Sequence, residues 1–122
     1  MKYLTCYIVI LSEKSLEEVA QIISNKLFGG IPFVGKDKHI YDEVPAIFIE
    51  KSILGLGIIL QGFGGKDGYV LSMNTADYPW PERKDKDLKK MMEYEHSVTE
   101  DISNYVAYFL KDVKEIKCVS RN

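Results

Sequence analysis

The sequence contains few of the residues on which metal centres and disulfide scaffolds depend. Its 122 residues include two cysteines, two histidines and one tryptophan. Cys6 and Cys118 do not form a metal-binding motif, and each lies in a predicted strand, so we expect two buried, reduced thiols. A disulfide that joins the terminal strands is the alternative.

Long apolar runs are also missing. No segment approaches the roughly 18 apolar residues that a membrane span requires. The apolar run after Lys2 is short, is interrupted by Thr5, and is not followed by a small-residue cleavage site, which indicates a strand instead of a signal peptide. We therefore expect a cytoplasmic protein without membrane contact.

An excess of basic charge is absent as well. Sixteen basic residues stand against 18 acidic ones, for a net charge of -2. A nucleic-acid-binding protein normally presents a basic face, so the composition argues against direct binding of nucleic acid. The length and the 46% share of hydrophobic residues fit a single globular domain over residues 1–122.

Recognisable catalytic motifs are not found. The sequence has no nucleophile elbow or triad signature, and Glu93-x-x-His96 lacks the second copy that a di-iron bundle requires. The stretch GFGGKDG (62–68) lacks the spacing of a phosphate-binding loop and precedes a strand pattern instead of a helix. We predict a protein that is not an enzyme and binds no metal or cofactor. The alternative is a small-molecule or catalytic site around His39, Tyr41, Asp42 and Glu43.

Hydrophobic periodicity predicts an α+β fold in the order β-α-β-β-β-α-β, with two helices packed on a mainly antiparallel sheet. YLTCYIVIL (3–11) has apolar residues on both faces, which is typical of an interior strand. A capping box at Ser15–Glu18 predicts the start of a helix, and Gly29-Gly30 its end. The apolar face of this helix contains Leu16, Val19, Ile23 and Leu27.

Three further strands and a second helix are predicted. AIFIE (46–50), ILGLGIILQ (53–61) and GYVLSMN (68–74) indicate an antiparallel meander, in which GFGGKDG forms the last turn. A helical period covers residues 91–110, although the capping box Ser97–Glu100 allows a break near His96. The apolar stripe of this helix contains Met91, Tyr94, Val98, Ile102, Tyr105 and Phe109, widened by Val106 and Leu110. Ile116, Cys118 and Val119 indicate a short closing strand.

The modest net charge conceals an acidic region. Residues 82–90 contain five basic and three acidic residues, whereas residues 91–110 contain four acidic and no basic ones. The four are Glu93, Glu95, Glu100 and Asp101. This pattern predicts an acidic helix face that could attract a basic partner, and an ordinary solvated face is the alternative.

NTADYPWPERKDKD (74–87) precedes that acidic region. Pro79 and Pro81 favour extended geometry at Tyr78 and Trp80. Tyrosine and tryptophan are common interface hot spots, and a stiff loop loses little entropy on binding. We predict a partner-binding surface of Asp77, Tyr78 and Trp80 together with the four acidic residues. Alternatively, Trp80 covers the end of the sheet.

In overall character the chain resembles bacterial toxin-immunity proteins, and in particular the immunity partners of contact-dependent growth inhibition toxins. The resemblance is carried by the length, by GLGIILQGFGGKDGYVLSMN (55–74) and by the acidic EYEHSVTED (93–101). It implies stoichiometric neutralisation of a basic, nuclease-like toxin, whose active site would be occluded by acidic and aromatic groups. We expect a monomer. A self-assembling subunit, in which strand 3–11 and the apolar ILGLGIIL (53–60) form an intersubunit sheet or face, is a further alternative.

Overall fold

The α+β prediction is confirmed by a computed structural model, which describes residues 3–35, 44–75 and 99–119. These residues form one six-stranded mixed sheet and two helices. The elements are β1 (Tyr3–Leu11), α1 (Leu16–Leu27), β2 (Ala46–Phe48), β3 (Leu56–Gln61), β4 (Tyr69–Thr75), β5 (Thr99–Asp101), α2 (Ser103–Leu110) and β6 (Lys117–Val119).

Strand β1 is the interior strand that the sequence predicts. The sheet order is β2-β3-β4-β1-β5, and β4 is antiparallel to β1 along most of its length. The other edge of β1 is shared: β5 pairs in parallel with Tyr3–Thr5, and β6 pairs antiparallel with Val9–Leu11. Between them, the Tyr7 amide donates to Ser103 Oγ at 2.9 Å. Both edges of β1 are therefore hydrogen-bonded, although two of its partners are very short.

Helix α1 begins and ends as predicted. Ser15 Oγ accepts a hydrogen bond from the Glu18 amide at 3.2 Å, and Glu18 Oε1 accepts one from the Ser15 amide at 3.3 Å, which completes the capping box. At the other end, the Gly30 amide donates to the Ser24 carbonyl at 3.0 Å. Gly30 has φ 89°, a conformation that glycine adopts at low cost.

The predicted helix over residues 91–110 is confirmed at Ser103–Leu110 and wrong at Thr99–Asp101. Residues 91–98 lie outside the described part, but Thr99–Asp101 form strand β5, so Glu100 is not the fourth residue of a helical capping box. The edge of β1 that β4 does not cover accounts for the difference. The amides and carbonyls of an interior strand require partners on both edges, and Thr99–Asp101 supply some of them. The predicted order thus gains one strand before the second helix.

The phase of the second helix also differs from the prediction. Val106 and Leu110 are buried, whereas Tyr105 and Phe109, predicted for the core, are exposed. The helix starts at Ser103, directly after β5, and turns the face of Ile102, Val106 and Leu110 towards the core. At about 100° per residue, Tyr105 and Phe109 are rotated to one side of the centre of that face.

The meander of β2, β3 and β4 is confirmed, although the bounds of all three strands differ from the prediction: β2 ends at Phe48 instead of residue 50, and β4 covers Tyr69–Thr75 instead of 68–74. Strand β3 begins at Leu56 instead of residue 53, because residues 53–56 form a tight turn closed by two backbone hydrogen bonds between Ile53 and Leu56. The GFGGKDG turn is present as predicted. Within it, Gly68 has φ 67°, and a Cβ at this position would lie 2.5 Å from the Ile10 carbonyl oxygen, so the close approach to β1 requires glycine.

The core lies between the two helices and one face of the sheet. Alternate residues of the central strands point into it. They include Cys6, Ile8 and Ile10 of β1, Ile58 and Leu60 of β3, and Leu71 and Met73 of β4. Their neighbours on the opposite face, such as Val9, Ile59 and Val70, are only partly buried.

This asymmetry predicts different costs for neighbouring residues of β4. Leu71→Ala should lower the free energy of unfolding by about 3 kcal/mol, because it opens a cavity in the fully buried face. Val70→Ala should cost only about 1 kcal/mol, because the partly exposed side chain buries less area. Urea denaturation measures both losses. Equal losses would contradict the one-sided core.

Candidate functional site

The exposed side of α2 carries three aromatic side chains. Tyr105, Tyr108 and Phe109 are 68%, 62% and 59% exposed, and their spacing places them on one side of the helix. The Tyr108 and Phe109 rings meet edge to face with centroids 5.9 Å apart, and Lys111 Nζ lies 4.0 Å from the Tyr108 ring centroid. Large aromatic side chains of this exposure are unusual on a protein surface unless a partner covers them.

Two predicted acidic residues directly precede this helix. Glu100 and Asp101 are exposed on β5, and not on a helix as predicted. Asp101 Oδ1 accepts a hydrogen bond from the Ser103 amide at 2.8 Å, so this carboxylate also stabilises the start of α2. The β5–α2 surface is defined here as Glu100, Asp101, Tyr105, Tyr108 and Phe109.

Five predicted partner-binding residues lie outside the described part of the chain: Asp77, Tyr78, Trp80, Glu93 and Glu95. Their role stays a prediction. The residues that border their segment are described, and both lie beside the start of β1. Thr75 Oγ1 accepts a hydrogen bond from the Leu4 amide at 2.7 Å, and Thr99 pairs with Tyr3 on the other side.

Sequence reasoning missed the aromatic residues of α2 because two apolar stripes overlap there. One contains Ile102, Tyr105 and Phe109, and the other contains Ile102, Val106 and Leu110. The stripe with Val106 and Leu110 contains only aliphatic side chains, whereas the stripe with Tyr105 contains a hydroxyl group. Tyrosine often keeps its hydroxyl group in water. That difference was the signal available in the sequence.

A groove lies at the opposite end of the sheet, where β1 ends. Its volume is about 1410 Å³, and it is bordered by the β1–α1 loop, the turn between β3 and β4, and the loop before β6. Hydrogen bonds hold these segments together: Ser12 Oγ donates to the Glu115 carbonyl at 2.7 Å, and Tyr69 Oη donates to the Lys14 carbonyl at 2.7 Å. The groove therefore results from the hydrogen bonds that join these three segments.

The lining of the groove does not favour one kind of ligand. Four lysines, Lys14, Lys66, Lys114 and Lys117, are mixed with Glu13, Glu18 and Glu115. The start of α1 lies here beside the glycine-rich turn, so a helix N-terminus is brought to GFGGKDG by the fold. However, Glu18 occupies that helix end, and its hydrogen bonds with Ser15 lower the pKa of its carboxyl group. The position that an anion would take is filled by the protein itself.

Candidate catalytic groups are scarce in the part that the structure describes. Residues 3–35, 44–75 and 99–119 contain no group of three or more histidine, cysteine or acidic residues placed to hold a metal ion. The alternative site at His39, Tyr41, Asp42 and Glu43 lies outside these residues and stays untested. In the same described ranges, no helix has the length and apolarity needed to cross a membrane.

The two cysteines are free thiols, as expected, and not a disulfide. Cys6 is 2% exposed, whereas Cys118 is only partly buried. Burial raises the pKa of the Cys6 thiol to about 11, because desolvation disfavours the thiolate. A thiol that stays protonated at neutral pH is a poor nucleophile, so Cys6 serves the core.

Comparisons with known proteins found no match among protein-family models, curated proteins or solved structures. Of the two regions described, the β5–α2 surface combines three exposed aromatic side chains with two carboxylates, and Lys111 lies over the Tyr108 ring, whereas the groove mixes four lysines with three glutamates.

The raised pKa of Cys6 predicts a loss of stability at alkaline pH. In the unfolded chain the thiol loses its proton near pH 9, whereas in the folded protein it keeps it until about pH 11. Between these pH values the folded state binds more protons than the unfolded chain. The contribution of Cys6 to the free energy of unfolding is therefore complete below pH 9 and is lost as the pH rises to about 11, which lowers that free energy by about 2 kcal/mol. Urea denaturation at several pH values measures it. The control is Cys6→Ala, whose stability should fall less over the same interval; parallel curves would contradict the assignment.

Proposed function

We propose that this chain is an inhibitor of the immunity type, which binds a cognate protein toxin and neutralises it by occlusion of its active site. The observation that carries the proposal is the exposed aromatic side of α2 beside two acidic residues. The surface fits a protein partner that has an apolar depression bordered by lysine or arginine side chains.

The aromatic side chains supply the binding energy in this proposal. One buried aromatic residue removes about 150–250 Å² from water, and such residues dominate the energetics of interfaces. Tyr105, Tyr108 and Phe109 leave the core intact when they are contacted from outside, because Val106 and Leu110 provide the packing of α2. Binding therefore needs no rearrangement of the helix.

In this proposal the acidic residues orient the partner and raise its rate of association. Glu100 and Asp101 precede the helix, and the basic residue Lys111 lies at its other end, over the Tyr108 ring. Asp101 Oδ1 accepts a hydrogen bond from the Ser103 amide, and this bond holds the carboxylate in place. Fixed negative charges next to an apolar contact attract a basic partner over long distances and disfavour acidic proteins. A toxin that binds nucleic acid would present such a basic surface.

The predicted anchors Tyr78 and Trp80, and the charges of Asp77, Glu93 and Glu95, belong to the same proposal. Trp80 is the only tryptophan in the sequence, so it is an intrinsic fluorescence reporter. If a toxin covers it, emission shifts to shorter wavelength on titration. An unchanged spectrum during tight binding would remove Trp80 from the contact surface.

The function is tested in two steps. Proteins that co-purify stoichiometrically with the chain from its native host are identified, and each is expressed in a susceptible bacterium alone and together with the chain. We expect one of them to arrest growth when expressed alone and to be harmless when co-expressed. Failure to find a toxic protein that the chain neutralises would contradict the proposed function.

The role of the aromatic residues is tested with the double variant Tyr105→Ser/Phe109→Ser. It should bind the toxin at least about 100-fold more weakly, since two hot-spot side chains are removed, and it should unfold within about 2 °C of the wild type because neither side chain lies in the core. Calorimetric titration and thermal unfolding measure these quantities. Phe63→Ser is the matched control, because Phe63 is 74% exposed in the turn at the other end of the sheet. Equal affinity of all three proteins would contradict the docking surface.

The role of charge is tested with Glu100→Lys. The variant should associate with the toxin about tenfold more slowly at low salt, and the difference should shrink as salt rises, because exposed charges are screened beyond a Debye length of about 10 Å at 0.1 M. Stopped-flow binding at several salt concentrations measures the rates. Lys66→Glu is the control, because Lys66 is exposed in the turn between β3 and β4, at the other end of the sheet. A salt-independent difference would argue against electrostatic steering.

A further inference from the structure

The turn between β2 and β3 contains a residue that does not suit its backbone. Leu54 has φ 52°, and it is the one non-glycine residue in the described ranges with positive φ. Gly55 follows with φ 81°. The Ile53 amide donates to the Leu56 carbonyl at 2.9 Å, and the Leu56 amide donates to the Ile53 carbonyl at 2.8 Å. This is a two-residue hairpin with both central residues in the left-handed region.

Such a turn strongly favours Asn-Gly. Asparagine tolerates the left-handed conformation, whereas a leucine side chain crowds the backbone there. Leu54 is also 96% exposed, so its apolar side chain stays in water. Neither the backbone conformation nor the side chain of Leu54 helps the isolated fold. Strained residues of this kind cluster at functional sites, where a contact with a partner offsets the stability that the strain removes from the free protein.

The turn lies at the same end of the sheet as the acidic residues of β5. One row of paired residues crosses four strands: Leu56 pairs with Thr75, Thr75 is hydrogen-bonded to Leu4, and Leu4 pairs with Glu100. Three strand spacings separate β3 from β5 in this row, a distance of about 14 Å. An interface that buries about 800 Å² on each partner is wide enough to span it. Leu4, between the two, is itself 37% exposed.

We infer that Leu54 is a second apolar anchor for the proposed toxin, presented by a turn whose sequence is suited to binding at the expense of stability. The inference rests on the proposed function, because the same partner contacts Glu100 in the same row. Leu54 inserts into an apolar pocket of that partner, and the two backbone hydrogen bonds of the turn fix the position of its Cα, which limits the backbone entropy lost on binding.

The test is the substitution Leu54→Asn, which creates the favoured Asn-Gly pair and removes the apolar side chain. Thermal unfolding should show a melting temperature about 2–4 °C higher than that of the wild type, because strain is relieved. Calorimetric titration with the toxin identified by neutralisation should show affinity at least about tenfold weaker. Stability and affinity thus change in opposite senses, which general damage to the fold would not produce.

Two controls sharpen the result. Leu54→Met keeps an apolar side chain at the tip and should retain affinity within about threefold, whereas Phe63→Ser removes an exposed apolar side chain elsewhere and should leave affinity unchanged. Full affinity of Leu54→Asn for a toxin that the wild type neutralises would overturn the anchor and leave the proposed function standing. A lower melting temperature of Leu54→Asn would overturn the argument from strain. If the wild type neutralises no toxin, the proposed function fails and the anchor fails with it.

Discussion

The hydrogen bonds along both edges of β1 are the constraint on which the rest of the structure depends. A nine-residue strand in the middle of a sheet has amides and carbonyls that must find partners on each side. Strand β4 supplies one side as part of a hairpin meander. The other side is completed piece by piece, by β5, by the hydroxyl of Ser103 and by β6. The positions of β5, α2 and β6 are therefore determined by their hydrogen bonds to β1.

That constraint determines what α2 can bury. The helix has eight residues, begins directly after β5 and ends shortly before β6, so both of its ends are held at the same edge of β1. A helix attached in this way turns one narrow stripe, Val106 and Leu110, to the core. Tyr105, Tyr108 and Phe109 then face outwards as a direct result of strand pairing. The aromatic side of α2 and the acidic strand before it share this one origin.

The elements that the sequence predicted well are those with local causes. The capping box at Ser15 and the glycines of residues 62–68 depend on neighbours a few residues away, and both are confirmed. Strand β5 depends on pairing with Tyr3–Thr5, which are more than 90 residues distant in sequence, and a three-residue segment has too little pattern to reveal that pairing. Once β5 was predicted as helix, the phase of α2 followed, and with it the wrong placement of Tyr105 and Phe109. For the candidate site, charge could be located from the sequence, whereas the polar tips of the two tyrosines were the one signal for the exposure of the aromatic residues.

The aromatic side of α2 and the turn at Leu54 differ in how they relate to stability. The α2 rings are outside the core because the helix cannot bury more than one stripe, so their exposure requires no strain in the backbone. Leu54 combines exposure with a backbone conformation that asparagine or glycine would adopt more easily. The first feature is compatible with any function that uses a surface, whereas the second lowers the stability of the free protein. In the proposed complex, a contact between Leu54 and the partner would offset this cost, because binding to the folded state stabilises it.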